Sequence, residues 1–186
     1  SLIIVFLFIP EVKILDKIHF LPNIFQNDLF RIFFSIFAVI TIVNSFNFID
    51  GLNGFLILFS IVISTFLLFF LSNHGILNFL YFFIFHLLII LFFNFPNSKA
   101  FLGDFGSYFL GYFFALLFIH IDNYDLMKND YLSSWTLANL FAYPAFEIFS
   151  TIIRRILSKK SPFYPDNLHL HSIIYKLLSI KFSRNT

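Results

Sequence analysis

GFLILFSIVISTFLLFFLSNHGILNFLYFFIFHLLIILFFNF, from Gly54 to Phe95, runs without an Asp, Glu, Lys or Arg. A helix needs about 20 largely apolar residues to cross a bilayer, and the Ser72-Asn73-His74-Gly75 punctuation divides this stretch near its middle. It reads as two spans, 54–72 and 76–95, joined by a loop at 73–75. Both are too apolar all round for amphipathic core helices and too long for strands. Working outward, similar segments fall at 30–49, 105–121 and 132–152, and residues 1–9 look like the stump of another span already under way at Ser1. The expected fold is therefore all-α: a polytopic integral membrane bundle with about five full transmembrane helices and a partial one at the N-terminus. It forms a single membrane domain over 1–186, with no internal repeat.

Composition agrees. The chain is 59% hydrophobic and 12% charged, with a mean hydropathy of +0.87. Soluble domains carry about 25% charged residues, so lipid must be the solvent for most of this surface. The absence of Cys excludes disulfides and thiolate metal sites. A net charge of +2 gives no reason to expect a nucleic acid partner.

Three polar islands interrupt the apolar sequence: NSFNFIDGLNG (Asn44–Gly54), KAFLGDFGS (Lys99–Ser107) and SPFYPDNLHLH (Ser161–His171). Two spans separate each from the next, which brings all three to one face of the bilayer. Eight basic residues share that face: Lys99, Arg154, Arg155, Lys159, Lys160, Lys176, Lys181 and Arg184. The other face has only Lys13, Lys17, Arg31 and Lys128. By the positive-inside rule the motif face is cytoplasmic, which predicts a multi-pass protein of the inner (plasma) membrane.

Asn44, Asn47 and Asp50 recur every three residues at the end of a span, within a stripe of about 120°. Polar groups at that depth must face a bundle interior or a wet cleft. Gly51 and Gly54 should end the helix and let backbone N–H groups approach an anion. Asp104, between small residues at the start of a span, suits either a helix cap or a metal ligand. Gly111 reads as a helix-packing position. Pro162 and Pro165 impose an extended approach to His169 and His171; in extended chain residues i and i+2 point the same way, so both imidazoles can face one ligand. Ile173, Ile174, Leu177 and Leu178, with Lys176 and Lys181 alongside, suggest a short helix lying on the membrane, so residues 161–186 form a cytoplasmic histidine loop and amphipathic helix. Glu147 is an acid within a span, and an intramembrane acid is a functional candidate by default. His86 is expected to be neutral and internally bonded.

In this order and spacing the motifs resemble those of the polyprenyl-phosphate N-acetylhexosamine-1-phosphate transferases, a glycosyltransferase family 4-like group of multispan bacterial enzymes. The likeness extends over roughly residues 1–180. Asn44–Gly54 is similar to the family's Asn-x-x-Asn-x-x-Asp-Gly-x-(Asp/Asn)-Gly segment and Phe101–Ser107 to its Phe-x-Gly-Asp-x-Gly-Ser loop. Pro144–Glu147, Arg155, Ser161–Phe163 and Asp166–His171 resemble its last helix and histidine loop. The resemblance implies transfer of a sugar-1-phosphate from a UDP-N-acetylhexosamine, UDP-GlcNAc or a related amino sugar, to polyprenyl (undecaprenyl) phosphate. UMP is released, and lipid-linked cell-envelope glycan synthesis begins, as in lipopolysaccharide or O-antigen assembly. It implies Mg2+, with Mn2+ as the alternative. Asp104 is then the catalytic metal ligand and Asp50 a second catalytic acid or metal-orienting group. Asn44, Asn47 and Asn53 would contact nucleotide or phosphates, His169 and His171 the diphosphate, and Lys99 and Arg155 would add positive charge. A homodimer is the assembly considered. Asn53 stands where many members have Asp, Ser172 where many have His, and the family's early Asp-Asp pair has no counterpart. With the start in mid-span, this reads as an N-terminally truncated fragment, inactive in isolation. The competing readings are a non-catalytic assembly partner and an ion-coupled transporter, the latter expecting acids spread through the bilayer's depth.

Overall fold

The computed structural model describes residues 28–96, 99–123, 134–159 and 169–183, and among these the secondary structure is helical. The helices are α1 (Asp28–Ile49), α2 (Phe55–Phe70), α3 (His74–Asn94), α4 (Gly103–Asn123), α5 (Ser134–Leu140), α6 (Ala142–Leu157) and α7 (Leu170–Ser183). The apolar start at 1–9 lies outside the described residues.

Three helical stretches are long and apolar enough to cross a membrane: Ile32–Ile49, His74–Asn94 and Gly103–Ile121. They fall where spans were expected. Helix α2 is as apolar but has 16 residues, about 24 Å at 1.5 Å per residue, short of the ~30 Å hydrocarbon layer. The expected span at 132–152 differs in kind. Its helix breaks at Phe141, so a seven-residue α5 precedes α6. Helix α6 also continues to Leu157, which puts Arg154 and Arg155 on its last turn and not in a loop.

Helix α1 packs along α4 and α6, while α2 packs along α3. The α1–α4 contact is close because Gly111 has no side chain: a Cβ there would lie 2.8 Å from Val43 Cα and 3.2 Å from Val43 O. This is the small-residue packing expected of Gly111. Phe46, fully buried in the middle of the first motif, fills the space between helices. Its ring meets Phe59, Phe114 and Phe141 at centroid distances of 5.7–5.9 Å.

Helix α6 is amphipathic in the inverted sense. Pro144, Glu147, Thr151 and Arg155, spaced three and four apart, form the buried face. Phe146, Phe149, Ile153, Ile156 and Leu157 are exposed on the other side. Polar groups inside and apolar groups outside is the arrangement a lipid-solvated helix requires. His86 is bonded within its own helix, with Nδ1 2.8 Å from Phe82 O and the ring against Phe82.

Candidate active site

Helix α1 ends at Ile49, and the Asp50–Gly54 turn leads into α2. Gly54 carries the turn with a left-handed φ of +77°, which favours glycine, and a Cβ there would also crowd Leu91 and Phe95. Asn47, one turn before the break, donates from Nδ2 to Asp104 Oδ1 (3.1 Å) and to Ser107 Oγ (3.0 Å). Asp104 sits in the first turn of α4, where the helix dipole favours negative charge. Ser107 Oγ donates back to Asp104 O at 3.0 Å. The first two islands are thus joined by direct hydrogen bonds. Asp50 lies close enough to feel Asp104: its pKa is pushed up to about 6, first by burial and then by the neighbouring negative charge.

Asn44 turns back on its own helix, donating to Ile40 O at 2.8 Å, and so does not join Asp104. Asn53 and Lys99 are exposed. The backbone N–H groups of Lys99 and Ala100 both bond to Phe93 O, and Asn94 Nδ2 donates to Ala100 O, stitching the second island to the end of α3.

The third island meets the first at Gly51. Residues 160–168, including Asp166, lie outside the described residues, but His169 and the first turn of α7 are placed. Both imidazoles are buried, 8% and 5% exposed, and lie parallel with centroids 5.5 Å apart. They face one partner. Glu147 Oε2 is 3.5 Å from His169 Nδ1, and Oε1 is 3.4 Å from His171 Nδ1. Glu147 Oε1 also accepts from the Tyr143 hydroxyl and from the Leu170 N–H, each at 2.9 Å. The expectation that the two rings share a direction therefore holds geometrically; the carboxylate of α6 is what they share. Phe48 and Phe55 cover the rings of His169 and His171. Burial holds the His171 pKa below the usual histidine value, the Glu147 charge opposing this and His169 adding to it. A Cβ on Gly51 would lie 2.5 Å from His171 Nε2, so the third island rests directly on the first. Arg155 is buried on the same face of α6 as Glu147, two turns on.

Two participants had not been singled out. Tyr143 was legible as the i−4 neighbour of Glu147 on a helix. Ser107 lay inside a motif but reads as an ordinary small residue until Asn47 is brought to it.

The corner formed by Asp50, Asp104, Asn47 and Ser107 offers oxygen donors, which suits a hard divalent cation such as Mg2+. Burial first and the Asp104 charge second make the negative form of Asp50 costly, and a cation beside the two carboxylates would offset that cost. Among the described residues no three Asp, Glu, His or Cys side chains could hold a metal by themselves. Mg2+ often binds through one or two carboxylates plus substrate phosphates and water, so the donor set fits.

A polytopic helical membrane protein with paired carboxylates at the end of its bundle is the class these features define. The chain belongs to glycosyl transferase family 4, whose model matches residues 1–122. It is 32% identical over 152 residues to the undecaprenyl-phosphate alpha-N-acetylglucosaminyl 1-phosphate transferase of Thermotoga maritima, covering 81% of this chain and 45% of that protein. It is 36% identical over 137 residues to the probable undecaprenyl-phosphate N-acetylglucosaminyl 1-phosphate transferase of Bacillus subtilis, covering 72% of this chain and 37% of the relative. The chain thus spans less than half the length of these relatives. No solved structure gives a significant match.

Proposed function

We propose that the protein transfers an N-acetylhexosamine-1-phosphate, with UDP-GlcNAc as the donor, to polyprenyl phosphate. An oxygen of the lipid phosphate attacks the β-phosphorus of the UDP-sugar. The bond from that phosphorus to the bridging oxygen breaks, UMP leaves with the electron pair, and the sugar remains on the new lipid diphosphate. The nucleophile needs little deprotonation near pH 7, since a phosphomonoester has its second pKa at about 6. Charge neutralisation and alignment are the main requirements.

Asp104 and Asp50 would hold a divalent cation, Mg2+ or Mn2+, which supplies neutralisation of the diphosphate when bound. Asn47 and Ser107 fix the first turn of α4 and so aim the Asp104 carboxylate. Gly51 keeps the turn free of side-chain bulk. Asn44, Asn53, Lys99 and Arg155 are proposed substrate contacts, and His169 and His171 border the diphosphate. The site faces the cytoplasm in this reading, on the leaflet with the basic residues.

The observation that carries the reading is the meeting of three distant polar islands: the first bonds the second through Asn47 and Asp104, and the third packs on Gly51. The test is UMP release by membranes containing the protein at its full encoded length, given UDP-GlcNAc, polyprenyl phosphate and Mg2+. Asp104→Ala is expected to abolish release; retained turnover would remove Asp104 from its role and overturn the proposal.

A further inference from the structure

Glu147 has more to do in this structure than occupy a helix. Its carboxylate is 1% exposed on the inward face of α6, yet two donors reach it directly. The Leu170 N–H is one of the first-turn amides that a helix leaves without an intrahelical partner, and Glu147 Oε1 takes it at 2.9 Å. This pins the start of α7 to α6. The Tyr143 hydroxyl, which has a single proton, gives it to Oε1 at 2.9 Å. The Tyr143 oxygen is then an acceptor for His171 Nδ1–H, 3.1 Å away. On the other carboxylate oxygen, His169 Nδ1 stands in ion-pair range at 3.5 Å but makes no hydrogen bond to it. Both rings therefore present Nδ1 inward to α6, and His171 presents Nε2 to Gly51 beside Asp50.

We propose that Glu147 is a positioning residue of this site: its buried carboxylate, acting through the Tyr143 hydroxyl, sets the direction and tautomer of His171 and, through that ring, seats the Asp50–Gly51 turn, while its other oxygen stands in ion-pair range of His169. The inference rests on the transferase reading and deepens it. A carboxylate behind an imidazole fixes which nitrogen carries the proton and which way the ring faces, and removing such a supporting group typically lowers activity by about 10–100-fold. Here one carboxylate holds the Leu170 amide and, through Tyr143, the His171 ring at once, so the start of α7, the turn before α2 and helix α6 are linked by a single side chain.

Glu147→Gln separates this role from plain packing. Glutamine has the same shape, and its one oxygen can still accept from Tyr143 and Leu170. Its NH2 group, however, would replace the carboxylate oxygen 3.5 Å from His169 Nδ1, and neither ring would keep a negative charge beside it. The expected result is UMP release lowered by about 10–100-fold, with unchanged membrane abundance and melting temperature. Glu147→Asp, which keeps the charge on a shorter stem, should recover part of the loss. Wild-type turnover in Glu147→Gln, alongside a dead Asp104→Ala, would overturn the positioning role and leave the transferase reading standing. An active Asp104→Ala would strike the transferase reading, whatever Glu147→Gln does. Should Glu147→Gln fail to accumulate, Tyr143→Phe removes only the hydroxyl that joins Glu147 to His171. It should lower turnover several-fold, and full activity in that variant would likewise refute the proposal.

Discussion

Gly111→Ala tests whether packing between two helices sets the geometry of the site. The added Cβ would meet Val43 Cα at 2.8 Å, Phe46 Cβ at 3.1 Å and Val43 O at 3.2 Å. Two of these are backbone atoms, so no rotamer change relieves them. Restoring an ordinary 3.4 Å contact to Val43 Cα asks α1 and α4 to part by about 0.6 Å. Val43 is one turn from Asn47, and Gly111 two turns from Asp104. A parallel retreat would stretch the 3.1 Å Asn47–Asp104 bond to about 3.7 Å, beyond hydrogen-bond range. Overpacking of this kind destabilises by about 1–3 kcal/mol, and the lost bond adds about 0.5–1.5 kcal/mol. Thermal melting of the detergent-solubilised protein and UMP release should both fall, and Val43→Ala should not rescue either, because the obstruction is main chain. A variant that melts and turns over like wild type would refute the close α1–α4 approach. Rescue by Val43→Ala would refute its backbone origin.

Two further outcomes follow from other parts of the molecule. Asp50 has its folded pKa raised from 3.8 to about 6, so its contribution to stability is present at acid pH and lost as pH rises through about 6. In metal-free protein, Asp50→Asn should therefore raise the melting temperature at pH 7 and little at pH 4, while the acid limb of wild-type turnover should move to lower pH as Mg2+ is increased; a limb indifferent to Mg2+ would separate Asp50 from the cation. Asn73 caps α3, accepting from Gly75 N at 2.9 Å and Ile76 N at 3.1 Å, so Asn73→Ala should destabilise by about 1 kcal/mol with UMP release unchanged, and a large fall in turnover would place the opposite end of α3 in the site.

The apolar runs that became α1, α3 and α4 were legible because lipid demands nothing of a sequence but length and hydrophobicity. The break at Phe141 was legible in part: Pro144 offers no N–H to Leu140 O, four residues back, and its ring crowds that carbonyl, so a kink is expected, and the helix restarts with Pro144 inside the first turn of α6, where its missing N–H is tolerated. Asn47 and Asp104 could be paired from spacing and span counting, since side chains three apart at a helix end face one way. Asn44 obeys the same spacing, yet it spends its amide on Ile40 O; periodicity fixes a face, whereas the hydrogen-bond partner depends on what stands opposite. The inward direction of Glu147 could be inferred from the cost of exposing it to lipid. That it would gather Tyr143, Leu170 N and two imidazoles depends on how α7 approaches α6, which no local pattern encodes.

The left-handed glycine at the head of α2 has a mechanical consequence. It leaves less than the room of a methyl group before Leu91 and Phe95, at the end of α3 that precedes the Lys99–Ser107 segment. That segment is itself laced to α3 through Phe93 O and Asn94. The two carboxylates thus ride on one block, braced from behind as well as bonded in front, and a torque applied at either must be felt at both.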